Sequence, residues 1–503
     1  MGEVRWLVLW TVALFAATLT LNTRHNKFPY FYHPDEAEKV RQVMTGEWNF
    51  HHPMLLLTAT KSAVAVRGVK LPEQGVVEAG RWVSAGCVAA AVVALALLAF
   101  VWRGWTASLA AGGALLLHHQ LFELAHYMKE DSVLLAGVAW TFLAAFLFWR
   151  KPGPARAALL GAAVAVAISG KYVGAAMLAV ALPVLWRVPG GRGRSLGGFA
   201  AMLIVVLVVV NAPLLLDFGA FRESFDREMG LVVHGHGGKR AVPHAQYWNI
   251  FRDNSTPVMW VLLVVFLAGR WRERRAVALP EWLVIAFPFV FALALSFSPK
   301  SNDRYFLPAT AVFTLLAALG VVDVARLLAR WVPLRWVPLR WALAAVAVAL
   351  VAGQLRSWLL YEVAFRSDDN AALLEWVRQL PPGAVISKDS RVRLPDPRRP
   401  EDVRRFAPPP QRIMGGRFAA DHGTVAEQRA RGVTHVAISR SDYERFFLPG
   451  LRPRAGEEED FVRRRAFYEE LRKVGEVVFH RARGTVLYLH PGLEVYRLPV
   501  AAE

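Results

Sequence analysis

Charged residues that could do chemistry fall in four short polar segments between apolar runs. Asp35-Glu36 follows the first apolar run, and Lys129-Glu130-Asp131 separates two later ones. Lys171 interrupts a long apolar stretch, and Lys300 and Arg304 lie in a polar turn further along the chain. Charged groups at membrane depth are costly and are retained mainly where they serve a function. These segments are therefore the first candidates for a site.

A carboxylate beside fixed cations suits the removal of a group from a phosphate. The carboxylate can take the proton of the attacking group as a general base. The cations can stabilise the negative charge that grows on the departing phosphate, and a partly dry cavity strengthens both effects. The alternative is that these residues form charge pairs that lock helix ends together and touch no substrate.

The composition indicates a membrane protein with many spans. Of the 503 residues, 55% are hydrophobic, and several runs approach the ~20 apolar residues that cross a bilayer. The mean hydropathy is +0.31. The net charge of +19 comes from Arg and Lys clustered between apolar runs, which favours the anionic inner leaflet as its partner and not nucleic acid. The single cysteine, Cys87, excludes an intramolecular disulfide and a cysteine-based metal site.

We predict a transmembrane domain in residues 1–360, with about eleven spans and every short basic loop on the cytoplasmic side. The N-terminus is then cytoplasmic, and residues 22–81 and 217–256 form long outer loops. Within the first of these loops, apolar residues at helical spacing predict a helix from Asp35 to Gly46. This topology brings all four polar segments to the outer face. The predicted spans are residues 5–21, 82–101, 106–122, 131–149, two short helices within 157–186, 196–216, 257–269, 281–298, 305–322 and 341–360.

Residues 157–186 are too long for one straight span and too short for two full ones. Ser169-Gly170-Lys171-Tyr172 interrupts them, and the loops on both sides are basic. Two short helices that rise and return satisfy both facts and hold Lys171 near the outer surface. Interrupted helices at membrane depth line a cavity or are buried in protein, so Lys171 is a candidate site residue.

Residues 361–503 are polar in composition and form a predicted extracytoplasmic α/β domain. Residues 389–412 are predicted to be a long loop, whose arginines we interpret as solvated charge near lipid headgroups. A site for a phosphate-rich acceptor is the alternative. The predicted helices are 368–380, 423–431 and 460–473, and the predicted strands are 384–387, 433–438, 477–479, 486–489 and 494–498.

The order of these motifs resembles that of the GT-C glycosyltransferases that use polyprenyl-phosphate sugars, in particular the protein O-mannosyltransferases and the aminoarabinose lipid A transferases. The resemblance covers nearly the whole chain and implies a mainly α, GT-C-like helical bundle followed by an outer α/β domain. The motifs that carry it are His33-Pro34-Asp35-Glu36-Ala37, His52-Pro53, Lys129-Glu130-Asp131-Ser132, Gly170-Lys171, Arg304-Tyr305-Phe306-Leu307-Pro308, residues 432–436 and residues 490–496.

The resemblance also implies roles for the matching residues. Asp35 would be the catalytic base, with Glu36 supporting it, and Asp131 would orient the acceptor or the base. The residues expected to bind the donor phosphate are Lys171, Arg304 and Lys129, and those expected to support the site are His52, Glu130, Lys300 and Tyr305.

Histidines on the outer side raise the question of a metal site. His234, His236 and His244 lie in a glycine-rich stretch, and imidazole suits zinc. Their spacing instead favours a flexible lid over the cavity. The outer loops contain no Asp-x-Asp motif that would hold a nucleotide sugar through a metal. We therefore expect a metal-independent reaction without a cofactor.

The sequence as a whole predicts an inverting, general-base glycosyltransferase. It would move one sugar from a polyprenyl phosphate to an extracytoplasmic protein, lipid or glycan in a bacterial or archaeal plasma membrane. Its partners would be the donor, the acceptor and membrane lipids. Two alternatives stay open: a transporter or lipid-linked-sugar translocase, although the bundle shows no internal repeat, and a non-catalytic subunit that binds a partner. The sugar, the acceptor, the polyprenyl chain and the oligomeric state also stay open.

Overall fold

The computed structural model describes residues 2–68, 71–187, 192–234, 243–300, 302–331, 339–395, 409–448, 453 and 456–499. The chain divides into two compact units, with a boundary between Leu359 and Leu360. The described part of the first unit is mainly helical, and that of the second combines helices with a sheet. His236 and residues 396–408 of the predicted long loop lie outside the described residues.

The described helices of the first unit follow one another with short connections. They are α1 Gly2–Asn22, α2 Pro34–Thr45, α3 Leu55–Val66, α4 Glu73–Arg103, α5 Trp105–Leu116, α6 His119–Ala125, α7 Glu130–Arg150, α8 Pro154–Gly170, α9 Leu178–Arg187, α10 Arg192–Val210, α11 Ala212–Leu216, α12 Phe218–His234, α13 Pro243–Asp253, α14 Pro257–Arg272, α15 Leu279–Ser296, α16 Leu307–Trp331 and α17 Leu339–Ala364.

Seven long helices of the described chain are apolar enough to cross a membrane: α1, α4, α7, α10, α15, α16 and α17. The pair α13 and α14, bent by 106°, makes an eighth span if it is counted as one. The protein is therefore an integral, multi-pass membrane protein. The prediction of about eleven spans differs at residues 106–122 and 157–186, where α5, α8 and α9 are apolar helices of at most 17 residues. At 1.5 Å per residue such helices fall short of a hydrocarbon core of about 30 Å.

Helix α2 carries the acidic pair Asp35-Glu36. The residues at its two ends explain why the helix begins and ends where it does. His33 caps the first turn, where its Nδ1 accepts from the backbone N–H of Asp35 at 3.2 Å, and Pro34 occupies the first helical position. Gly46 ends the helix with a φ of 77°, a conformation that glycine adopts without strain. The helix predicted from Asp35 to Gly46 is confirmed.

The interruption predicted at Lys171 is also confirmed. Helix α8 ends at Gly170, and a 3₁₀ turn over Tyr172–Met177 leads into α9. The turn folds back onto α8 and packs closely against it. A Cβ at Gly174 would collide with the carbonyl oxygen of Ala167, so glycine is required at this position. Lys171 therefore lies at a reversal of the chain direction.

The second unit contains one mixed sheet of five strands within its described residues, in the order β2-β1-β3-β5-β4. Strands β1, β2 and β3 are parallel, and β5 pairs antiparallel with both β3 and β4. The strands are β1 Val385–Lys388, β2 Arg412–Gly415, β3 His435–Ser439, β4 Glu476–Arg483 and β5 Pro491–Arg497, and the helices are α18 Asp369–Arg378, α19 Val425–Ala430, α20 Arg440–Tyr443 and α21 Glu458–Val474.

Two details of the second unit differ from the prediction. Residues 486–489, predicted as a strand, form a turn. Val486 and Leu489 are nevertheless buried, so their apolar side chains fill the core without a strand. Arg412–Gly415 forms strand β2 at the end of the predicted long loop, because it pairs in register with β1.

The core of the second unit lies on both faces of β3, which is buried along its whole length. Val436 and Ile438 pack with Tyr468 of α21 on one face. Ala437 packs with Leu373 of α18 on the other. Side chains alternate between the two faces of a strand, so a short apolar strand joins both layers.

Candidate active site

Asp35 lies in the first turn of α2, where its carboxylate meets two cations. Its Oδ2 pairs with Lys129 Nζ and accepts from Arg304 Nη1 at 3.4 Å. The Lys129 side chain is 1% exposed, whereas the Asp35 side chain is 35% exposed. Asp35 is thus the accessible end of a mostly buried charge cluster.

Lys171 extends this cluster from the break after α8. Its Nζ donates to Asp131 Oδ1 at 2.5 Å and lies 4.2 Å from the centroid of the Tyr305 ring. The Arg304 guanidinium is 5.3 Å from the centroid of the same ring. A continuous set of contacts therefore joins Asp35, Arg304, Tyr305, Lys171 and Asp131.

Glu36 is adjacent to Asp35 but faces the interior, since consecutive side chains on a helix point about 100° apart. Arg81 Nε and Nη2 donate to its two oxygens at 2.9 and 2.6 Å, and both side chains are 0% exposed. The Met128 N–H donates to the same carboxylate at 2.9 Å. Glu36 therefore ties α2 to α4 and to the segment before α7, and it presents no surface to a substrate.

A second buried ion pair, between Lys39 and Glu130, also holds α2 in place. Lys39 Nζ lies 2.8 Å from Glu130 Oε1, and both side chains are nearly inaccessible. Lys39 follows Asp35 by one helical turn, so the two side chains lie on the same side of α2. This pair joins α2 to the start of α7, which carries Asp131.

A cavity of about 350 Å³ opens beside Lys171 and Tyr305. Its polar wall includes His52 and the ion pair between Lys300 and Glu228. The remainder of the wall is mainly apolar or aromatic and includes Leu134, Tyr172, Val173, Phe225, Met229, Val232 and Leu295. A cationic end beside an apolar wall suits an amphipathic ligand with an anionic head.

The charges around Asp35 set its protonation. Burial by itself would raise the pKa of Asp35, but Lys129, His33 and Lys39 outweigh burial and hold the pKa well below its usual range. The carboxylate is therefore ionised, and it is a weak base as long as the cations Lys129, Lys39 and Arg304 surround it. Burial lowers the pKa of His52 to about 4, so this imidazole is neutral at physiological pH.

The structure brings most of the predicted site residues together. The contact network contains Asp35, Lys129, Asp131, Lys171, Arg304 and Tyr305, and the cavity wall contains His52 and Lys300. Glu36 and Glu130 lie in buried ion pairs instead.

The sequence analysis missed three charged residues of this region: Arg81, Lys39 and Glu228. Arg81 stands at the boundary between a predicted loop and a predicted span, where a basic residue is ordinary. Lys39 carried a usable signal, because it is four residues after Asp35 on a predicted helix.

No group of three His, Cys, Asp or Glu side chains in the described ranges is arranged to hold a metal ion. His234 ends α12 and His244 lies in α13. The site's positive charges come from Lys and Arg side chains, which need no metal to bind an anion.

No protein-family model matches the sequence, and no curated protein does. Solved structures do match it. The oligosaccharyltransferase of Archaeoglobus fulgidus, tethered with an acceptor peptide, matches with a TM-score of 0.51 and 10% identity over 97% of this chain and 74% of that chain. AglB from the same organism, in complex with an inhibitory peptide and a dolichol-phosphate, matches with a TM-score of 0.50 and 10% identity over 86% and 69%.

ArnT from Cupriavidus metallidurans, bound to undecaprenyl phosphate, matches at 18% identity with a TM-score of 0.49 over 98% of both chains. The two archaeal matches, at these low identities, establish a shared architecture. The chain therefore has the fold of the GT-C glycosyltransferases.

Proposed function

We propose that the protein transfers a sugar from a polyprenyl-phosphate donor to an acceptor hydroxyl or similar nucleophile, with inversion at the sugar carbon. The site would face the extracytoplasmic side, with the N-terminus in the cytoplasm. The observation that carries this proposal is the convergence of Lys129 and Arg304 on one oxygen of Asp35, next to a cavity with a cationic end and an apolar wall.

The cavity fits the two halves of such a donor. The phosphate would bind at the end formed by Lys171 and Tyr305, where Lys171 is within 2.5 Å of Asp131 and poised beside the ring. The hydrocarbon would lie along side chains such as Phe225, Met229 and Leu295, because apolar surface gains free energy when it leaves water. Arg304 would contact the phosphate from the Asp35 side of the ring.

The reaction follows from these positions. Asp35 takes the proton of the acceptor, and the acceptor oxygen forms a bond to the anomeric carbon of the sugar. The bond from that carbon to the phosphate oxygen breaks, and its electron pair stays on the phosphate. Arg304 and Lys171 stabilise this charge. The proton ends on the Asp35 carboxyl group, and the polyprenyl phosphate leaves.

Two predicted catalytic or supporting roles change in this proposal. Glu36 would act as a positioning residue, because Arg81 and the Met128 N–H occupy its carboxylate and it is 0% exposed. Glu130 would act in the same way through Lys39. Asp131 would orient Lys171 towards the phosphate.

The comparisons support the substrate class without defining the sugar. A protein of the same fold has been solved with dolichol-phosphate, and another structure of that fold carries an acceptor peptide. A polyprenyl phosphate and an extracytoplasmic acceptor are therefore the partners that we propose for this chain.

Transfer by the full-length protein in nanodiscs tests the proposal. Radiolabelled undecaprenyl- and dolichyl-phosphate sugars serve as donors, and a crude envelope extract serves as acceptor. We expect label to leave the lipid, and Asp35→Asn to reduce the rate at least ~100-fold while donor binding persists, since a general base contributes about that factor. Asp226→Asn, an exposed carboxylate on α12, is the matched control and should keep full activity.

Full transfer by Asp35→Asn would exclude Asp35 as the base. A folded wild-type protein that binds the lipid but moves no sugar from any donor would instead support a translocase. The acceptor is identified by the fraction of the extract in which the label is found.

A further inference from the structure

The carboxyl ends of three parallel strands meet at one edge of the sheet in the second unit. Strands β2, β1 and β3 end at Gly415, Lys388 and Ser439. The chain runs from β1 to β2 on one side and then to β3 on the other, so the strand order reverses beside β1. In open sheets of this kind, ligands bind in the crevice outside the strand ends at such a reversal.

Three arginines from the three strand ends gather at this edge: Arg391, Arg417 and Arg445. Arg391 Nε and Arg445 Nη2 lie 3.2 and 3.9 Å from the same oxygen of Asp442. Arg417 and Arg445 both face the Phe418 ring, at 5.4 and 5.6 Å from its centroid. We call these three residues the arginine cluster.

A buried carboxylate, Asp389, holds together the backbone segments that carry the three arginines. Asp389 accepts from the N–H groups of Ala419 and Ser439 at 2.8 and 3.0 Å and from the Tyr468 hydroxyl at 2.7 Å. Asp389 is 0% exposed, so its role is to fix the loops that follow β1, β2 and β3. Burial and the neighbouring Asp442 raise the pKa of Asp389 to about 7.

The cluster has more positive than negative charge within the described residues. Asp442 is the acidic partner of both Arg391 and Arg445. Arg417 is exposed and forms no ion pair with another described residue. Asp442 joins Arg391 and Arg445, so the unmatched positive charge of the cluster is that of Arg417, which shares the Phe418 ring with Arg445. Half-exposed guanidinium groups can still turn their remaining N–H donors towards an anion.

We propose that the arginine cluster binds the phosphate group of a phosphorylated sugar or lipid headgroup. A phosphate monoester carries nearly two negative charges and three acceptor oxygens, which matches a set of guanidinium forks better than a single carboxylate does. The Phe418 ring adds an apolar surface beside Arg417 and Arg445. Arg464 lies 4.8 Å from the centroid of the same ring, but it is paired with Asp421. The arginine cluster belongs to the second unit, and this proposal does not depend on the transferase proposal.

Calorimetric titration of the full-length protein in phosphatidylcholine nanodiscs tests the site. Inorganic phosphate and glucose 6-phosphate are the soluble probes. Arg417→Gln and Arg445→Gln should each raise the Kd at least about tenfold, because a hydrogen bond to a charged group contributes about that factor. Arg472→Gln, which removes an exposed arginine from the last turn of α21, is the control of equal charge and should leave the Kd unchanged.

The two sources of phosphate give different results. A Kd for glucose 6-phosphate below that of inorganic phosphate supports a phosphorylated sugar. Nanodiscs with phosphatidic acid that block both soluble probes support a lipid headgroup. Absence of saturable binding to the wild-type protein, or equal weakening by Arg472→Gln, would overturn the proposal.

Folding of each variant is checked by its thermal midpoint, and Arg445→Lys adds a charge-preserving comparison. Arg417→Gln is the decisive variant, since it removes no ion pair among the described residues. If the Arg417→Gln variant has the thermal midpoint of the wild type and also binds phosphate as tightly, Arg417 is not part of the site and the proposal is contradicted.

Discussion

Replacing Glu36 with Gln separates a positioning role from a chemical one. The change leaves Arg81, which is 0% exposed, without its counter-charge. Arg81 donates to both carboxylate oxygens, at 2.9 and 2.6 Å, and the amide NH₂ of Gln would replace one acceptor by a donor. We expect the free energy of unfolding to fall by about 3–5 kcal/mol, the usual cost of removing one partner of a buried ion pair.

Unfolding of the full-length protein in nanodiscs, followed by tryptophan fluorescence, measures this change. Asp35→Asn is the matched control from the same helical turn, because the Asp35 side chain is 35% exposed and water screens its pair with Arg304. Its buried partner Lys129 would still have the attraction of Glu130. It should lose transfer with a much smaller loss of stability. The double variant Glu36→Gln with Arg81→Met removes both charges and should regain stability relative to Glu36→Gln.

The opposite pattern would refute the reasoning. A Glu36→Gln protein that unfolds like the wild type but transfers no sugar would mean that the carboxylate takes part in the reaction. Its burial by Arg81 would then have to be relieved when substrate binds.

Two further predictions concern stability. The pKa of His490 is lowered by burial, but Asp369 at 2.9 Å and the Ala364 carbonyl at 2.7 Å outweigh burial and raise it above its usual value. This stabilisation is complete below about pH 6.5 and is lost as the pH rises through the folded-state pKa. The thermal midpoint, measured between about pH 6 and 9, should therefore fall as the pH rises. His490→Gln should remove this pH dependence. Gly170→Ala would place a Cβ 2.6 Å from a backbone nitrogen of α7 and should lower the thermal midpoint, whereas Gly86→Ala, with no neighbouring atom within 4 Å, should not lower it.

The sequence was sufficient to find where charge gathers, because a charged residue between apolar runs is conspicuous. Lys171 stood out for this reason, and so did the pair Asp35-Glu36. It was not sufficient to tell Asp35 from Glu36. The two carboxylates are adjacent and chemically alike, and only the position of Arg81 on α4 decides which of them is buried.

In the second unit, the prediction of strands from the sequence failed for a different reason. Residues 486–489 are apolar and β-branched or aromatic in part, which is typical of a strand, yet they form a buried turn. Strand β2 begins within a segment rich in Pro and Arg, and its four residues are defined by pairing with β1. Short strands depend on their partners more than on their own composition, so local sequence could not locate them.

In the proposed reaction, the convergence of two cations on Asp35 would link the strength of the base to the binding of the donor. While Lys129 and Arg304 face this carboxylate, its pKa is low and it takes a proton poorly. A phosphate beside Tyr305 would compete for Arg304, which is 5.3 Å from that ring, and would leave Asp35 with less positive charge around it. The carboxylate would then become a stronger base at the moment when the leaving group is in place. Such an order would limit loss of the sugar to water, since the proposed base would be weak whenever the donor site is empty.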